Sequence, residues 1–249
     1  MTLGEHLREL RKRLVISAAA ILVTAVAGFF VADYVIDYLR GPINAIAEER
    51  NAQIIYTTVT GAFDLRIQIA MTIAIVAASP VWLYQIFAFL VPGLTTREKR
   101  YTFGFFFSAV PLFFAGAATG FLLFPHMVEL LTSFSSSEDA TFLDAKPYYD
   151  FVIKLTLAVG IGFVLPVFLV LLNFVGVLSA RSIIKGWRVA VLVIVVFCAI
   201  ATPAADVISM FLLAIPMTVL YFASYVIAWV HDRRAARRAD ELEASIAGA

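Results

Sequence analysis

Between Phe151 and Leu178 this chain places a single charged side chain, Lys154, in 28 consecutive residues. A helix needs about 20 apolar residues to cross the ~30 Å hydrocarbon core of a bilayer. The run is one of six. The others extend over Leu14–Tyr38, Leu65–Val91, Tyr101–Pro125, Trp187–Ile200 and Val207–Val230. Overall the chain is 62% hydrophobic and 15% charged, with a mean hydropathy of +0.92. A soluble domain is about half apolar and a quarter charged. One core cannot hide such an excess, so lipid must act as solvent for much of the surface. The expected fold is all-α: a polytopic membrane protein with six transmembrane helices, forming a bent, concave bundle with short fifth and sixth spans.

Charge orients the bundle. Of 19 lysines and arginines, 14 fall at the N-terminus (Arg8, Arg11, Lys12, Arg13), around Arg97–Arg100, around Arg181–Arg188 and at Arg233–Arg238. The alternate loops hold Arg40, Arg50 and Lys146, with Arg66 and Lys154 just inside spans. Positive loops stay cytoplasmic, which places both termini in the cytoplasm and requires an even number of spans. Residues 1–230 then form one six-span membrane domain, and 231–249 a cytoplasmic charged tail without an apolar face. The N-terminus carries two glutamates and lacks a convincing small-residue cleavage site, so it reads as mature sequence. The net charge of +1 points to no partner. Cys198 is the single cysteine, which excludes an internal disulfide and a cysteine-ligated metal site.

The outer loops are expected at about Leu39–Asp64, with Gly41-Pro42 at its start, at about His126–Asp150, and as a tight turn at Thr202–Asp206. Pro80, Pro111, Pro166 and Pro216 fall inside spans, where each removes a backbone hydrogen bond and can kink its helix. The fifth run, Trp187–Ile200, is roughly 21 Å long as a helix, shorter than the hydrocarbon core. Local bilayer thinning or shielding by neighbouring helices would accommodate it. The midplane is nearly empty of ionisable groups, and Lys154 is one turn from Asp150, an i,i+4 pair. A small-solute secondary transporter is the alternative function; it calls for a polar midplane site and repeat symmetry, and neither is visible. An enzyme lacks a catalytic constellation: there is no phosphate-binding glycine loop, no GxSxG and no HExxH. No metal site, cofactor or nucleic-acid partner is indicated.

Polar chemistry collects at the cytoplasmic surface in two stretches. In His6–Leu14, HLRELRKRL, a helix sets Leu7, Leu10 and Leu14 on one face and Glu9 one turn before Arg13. The second, Ser79–Arg100, is SPVWLYQIFAFLVPGLTTREKR. Its aromatic helix ends at Pro92-Gly93 and leads to Glu98 among Arg97, Lys99 and Arg100. Taken alone, Glu9 and Glu98 are members of local ion pairs. Gln85 is a polar group within a span that packing would satisfy.

These stretches, with FVLPVFLVLL at 163–172 and TPAADVISMFLLAIPM at 202–217, resemble the TatC family, the multispanning receptor subunit of the twin-arginine protein translocase. The resemblance extends over nearly the whole chain, from His6 to Trp229. It implies that Glu9, Arg11, Phe89, Pro92 and Glu98 match the family's signal-peptide-binding positions. Pro42 and Phe63 match positions of its first external loop region. Thr202, Asp206 and Ser209 form what remains of a polar cluster that docks single-span partners. The implied ligands and partners are twin-arginine signal peptides of folded cargo, TatA-type and TatB-type single-span proteins, membrane lipid and further copies of the chain. Transport would be driven by the proton-motive force across the cytoplasmic membrane. The physics fits, because guanidinium is a planar fork suited to carboxylates and the lysine ammonium is not. Two departures stand out: Val164 occupies the place of a common intramembrane glutamate, and Met210 that of a glutamine.

Overall fold

In a computed structural model the chain is almost entirely helical. The structure describes residues 3–50, 53–90, 96–133, 142–202 and 207–247; the side chains of 3, 42–54, 90, 96–103, 126–144, 239, 242, 245 and 247 lie outside that description. Eight helices are described: α1 (Leu3–Arg50), α2 (Gly61–Ala77), α3 (Ser79–Leu90), α4 (Thr96–Ser133), α5 (Ala145–Phe174), α6 (Ala180–Lys185), α7 (Trp187–Ala201) and α8 (Val207–Ala247). Each of the six apolar runs is helical over most of its described length, as backbone groups without access to water require. By length and composition α1, α4, α5 and α8 can each cross a membrane, and α2 with α3 forms a fifth, bent candidate. Helix α7 is apolar but, at 15 residues, only about 22 Å long. The sixth run sits in a 41-residue helix, α8, which continues through the charged tail without a break.

The bend between α2 and α3 is 55° and falls at Ala78. Proline has no N–H to return to the carbonyl one turn earlier, and Pro80 is the second residue of α3. The interruption also frees the carbonyl of Ile75, which accepts instead from the Trp82 indole N–H at 2.9 Å. The expected kink at Pro80 is therefore real, and an aromatic side chain satisfies its exposed backbone. Pro111, Pro125, Pro166 and Pro216 lie inside continuous helices.

The bundle is centred on α5. In its most apolar stretch 61% of the residues are buried, against 6% for α1. Helix α4 lies against α5 at close range because Gly116 and Gly120, one turn apart, face it. A Cβ on Gly116 would meet the Val159 carbonyl oxygen at 2.7 Å, and one on Gly120 the Leu155 oxygen at 2.9 Å. Small residues at this spacing let membrane helices approach backbone to backbone. Helices α1 and α2 form a second close pair, in which the Thr24 hydroxyl reaches the Ala74 carbonyl at 3.2 Å. Val164 packs in an apolar cluster with Leu83, Phe87 and Phe113, so valine suits its surroundings.

The loops at the end opposite the termini depart from expectation. Helix α1 does not stop at Leu39; it continues through Gly41-Pro42 to Arg50. The carbonyl of Leu39 accepts from the buried Tyr148 hydroxyl at 2.6 Å, and Arg40 reaches Asp37 and Tyr56, so the helix is held up to the expected break. Helix α4 likewise extends past His126 to Ser133. Two short strands join the loops: β1 (Gln53–Ile55) pairs in parallel with β2 (Phe142–Asp144), with Ile54 opposite Leu143. The expected Asp150–Lys154 pair is replaced. Asp150 accepts from the Gln68 amide at 2.5 Å, because tertiary packing offers a donor from α2, and among the described residues Lys154 makes no ion pair. Arg66 pairs with Asp33 at 2.7 Å and lies over the Phe29 ring, which neutralises the charges near that end of α1 and α2.

Candidate functional site

The charged N-terminal stretch meets the aromatic helix of the second stretch where the start of α1 lies against the end of α3. On a helix, positions i, i+3 and i+7 share a face, so His6, Glu9 and Arg13 form one stripe on α1. Gln85 and Phe89, one turn apart, form another on α3. The helices run antiparallel here, which sets the first of one stripe beside the last of the other. His6 stacks on Phe89 with ring centroids 4.4 Å apart and planes inclined by 26°. Two turns deeper, Arg13 Nη1 donates to Gln85 Oε1 at 3.2 Å.

Glu9 lies between these contacts. Its Oε1 accepts from Arg13 Nη2 at 2.5 Å and from Arg13 Nε at 3.1 Å. Its Oε2 is closed off from solvent and has no hydrogen-bond partner among the described residues. The side chains of Arg13 and Glu9 retain 22% and 19% of their exposure, so the pair is sheltered without being sealed. A carboxylate held at one oxygen, with its second oxygen unengaged, has unused capacity for a charge-assisted donor.

The remaining site residues are placed as follows. Arg11 is exposed and lies on the far side of α1 from the Glu9 stripe. Glu98 is in the first turn of α4, with its side chain outside the described residues. Pro92 and Asp206 also lie outside them. Pro42 is within α1 and Phe63 is exposed in the first turn of α2, both at the end away from the termini. Thr202 caps α7 there, with its hydroxyl donating to the Cys198 carbonyl at 2.9 Å, and Ser209 is buried in the first turn of α8. The structure thus brings Glu9 and Phe89 together and sets Pro42, Phe63, Thr202 and Ser209 at the opposite end. Arg13 and Gln85 complete the cluster. The i,i+4 spacing announces the Glu9–Arg13 pair, but the link to Gln85 spans 72 positions and only the fold supplies it. Among the described residues no group of three or more His, Cys, Asp or Glu side chains could hold a metal.

A second polar knot sits at the same end. The Asp232 carboxylate near the end of the apolar part of α8 accepts from the Asn173 amide at 2.8 Å and from the Ala180 backbone N–H at 2.7 Å. Asn173 also donates to the Leu178 carbonyl at 2.9 Å, and Tyr221 donates to the Ile183 carbonyl. Together they clasp the α5–α6 connection to α8 and fix where α7 begins.

Residues 5–216 match the profile of the family described as Sec-independent protein translocase protein (TatC). The chain belongs to the TatC family. It is 40% identical over 240 residues to the TatC protein of Xylanimonas cellulosilytica, covering 96% of this chain and 87% of that one. It is 33% identical over 237 residues to TatCy of Bacillus subtilis, covering 94% and 91%. Its fold matches the crystal structure of a twin-arginine translocase receptor, TatC, determined in the detergent DDM, with a TM-score of 0.78 and 32% identity, covering 90% of this chain and 99% of that one. The chain is thus a multi-pass membrane subunit of the Sec-independent protein translocase.

Proposed function

We propose that this chain is the receptor core of the translocase, binding twin-arginine signal peptides at the cytoplasmic face through Glu9 and Glu98. One observation carries this reading: the Glu9 carboxylate already holds a guanidinium, that of Arg13, and its second oxygen has no partner among the described residues. A surface that pairs Glu9 with an internal arginine offers the chemistry needed to read an arginine from outside. Phe89 and Pro92 would shape the platform, Arg11 would flank it, and Glu98 would supply the second carboxylate. The concentration of 14 of 19 cations in the termini and alternate loops supports six spans in the cytoplasmic membrane with both termini cytoplasmic. Thr202, Asp206 and Ser209, beside the short α7, would dock TatA-type and TatB-type single-span partners. Copies of the chain would self-associate, lipid would adjust to α7, and the proton-motive force would drive export of folded cargo.

The test is the affinity of the purified chain for a fluorescent twin-arginine peptide and its Lys-Lys counterpart, repeated with Glu9→Ala and Glu98→Ala. Each lost charge-assisted contact contributes about 1.5–3 kcal/mol, so each variant should bind at least tenfold more weakly. Equal affinity for both peptides, or no effect of either substitution, refutes the reading.

A further inference from the structure

The Glu9–Arg13 contact is lopsided. A guanidinium and a carboxylate pair best as two forks, with two parallel N–H···O bonds to the two oxygens. Here Nε and Nη2 of Arg13 both converge on Oε1, and Oε2, buried, has no donor among the described residues. A charged acceptor shut away in this manner is unfavourable. A second guanidinium arriving in the plane of the carboxylate would satisfy both oxygens. Arg13 already has somewhere to go, because its Nη1 rests on Gln85 Oε1.

We propose that Arg13 is a built-in surrogate for the cargo's arginine: it occupies Glu9 while the receptor is empty, and when a guanidinium from a signal peptide takes its place it leaves Glu9 and is retained by Gln85 alone. This rests on the receptor reading above. The exchange preserves charge, since one guanidinium replaces another on Glu9 and no cation is stranded without an acceptor. Gln85 is neutral, so it retains Arg13 without outcompeting Glu9 for it. An internal competitor tethered one turn away acts at high effective concentration. It lowers the apparent affinity of every cationic peptide by the fraction of receptors in which Glu9 is free. Weakly bound lysine or single-arginine sequences then fall below useful occupancy, while a fully engaged Arg-Arg pair stays above it.

The experiment measures binding of the Arg-Arg and Lys-Lys peptides to the full chain in detergent micelles, using Arg13→Gln and, as a control for charge alone, Lys12→Gln. Lys12 is exposed beside the site. Removing Arg13 should tighten both peptides by about fivefold, the scale of a sheltered but not sealed ion pair, with their ratio preserved. Lys12→Gln should move them less than twofold. At Gln85 the signs oppose. Gln85→Leu denies Arg13 its second acceptor and weakens binding two- to threefold. Gln85→Glu draws Arg13 off Glu9 and tightens binding. Both effects should vanish in the Arg13→Gln background, a coupling that a merely structural glutamine would not show. If Arg13→Gln does not fold, the opposed signs at Gln85 decide the matter. Weaker binding in Arg13→Gln, the same change as Lys12→Gln, same-sign effects at Gln85, or Gln85 effects that persist without Arg13 overturn the exchange and leave the receptor reading intact. Failure of the native chain to bind the Arg-Arg peptide overturns both.

Discussion

Replacing Asp232 by alanine should loosen the α5–α6 connection and the root of α7 together. The carboxylate receives two donors, the Asn173 amide at 2.8 Å and the Ala180 N–H at 2.7 Å. Hydrogen bonds to an ionised acceptor contribute about 1.5–3 kcal/mol each. The Asp232 side chain keeps 38% of its exposure, so water can recover part of the loss. Asn173 and Ala180 are 2% and 3% exposed, so their donors have little access to that water. The net destabilisation should be about 2–3 kcal/mol. For a chain of this size that lowers the melting temperature by roughly 5–10 °C. Thermal unfolding in detergent, followed by intrinsic fluorescence, measures the total. Amide hydrogen exchange locates it: protection should fall across 174–186 and remain unchanged in the α4–α5 pair. An unaltered melting temperature with unaltered exchange at Ala180 would refute the assignment of Asp232 as the clasp. Loss of protection spread evenly over the bundle would show that the knot stabilises the whole fold instead of one connection.

Two other predictions rest on single contacts. Trp82→Phe keeps an aromatic ring but leaves the Ile75 carbonyl without its donor; it should destabilise the chain by about 1–2 kcal/mol, and spin labels on α2 and α3 should report a broader distribution of the bend. Gly120→Leu must push α4 away from the Leu155 carbonyl, which a Cβ would meet at 2.9 Å. It should cost about 1–3 kcal/mol or more, and designed cysteine cross-links between α4 and α5 should form more slowly than with Gly120→Ala.

The parts of this structure that follow from a local pattern were legible in the sequence. Apolar run length located the helices, and i,i+4 spacing announced Glu9 with Arg13. Pro80 marked the α2–α3 kink, although the compensating indole of Trp82 could not be read from spacing. The misses share one cause, which is contact between distant residues. Gly41-Pro42 looks like a helix stop until Tyr148, over a hundred positions later, reaches the Leu39 carbonyl. Asp150 looks like the partner of Lys154 until α2 brings Gln68 to it. Gln85 is recognisable as an isolated polar residue, but its role depends on Arg13, which the fold delivers from the other end of a helical hairpin. Three-residue strands give no periodicity to detect, and a parallel pair of them requires a partner far along the chain.

That parallel pair has a consequence for the order in which the protein is made. Among the described residues, 53–55 pair with 142–144 alone. A ribosome that has finished α1 and α2 has therefore produced a strand with an open edge and nothing to close it. The edge stays open while α3 and α4 are synthesised and inserted, and it closes just before α5, the most buried helix, is laid down. The small ladder marks a time point in synthesis: the link between these two loop segments cannot form until residue 144 has been made, just ahead of the helix at the centre of the bundle. A chain released before residue 144 would carry α1–α4 alone, with the strand at residues 53–55 still unpaired.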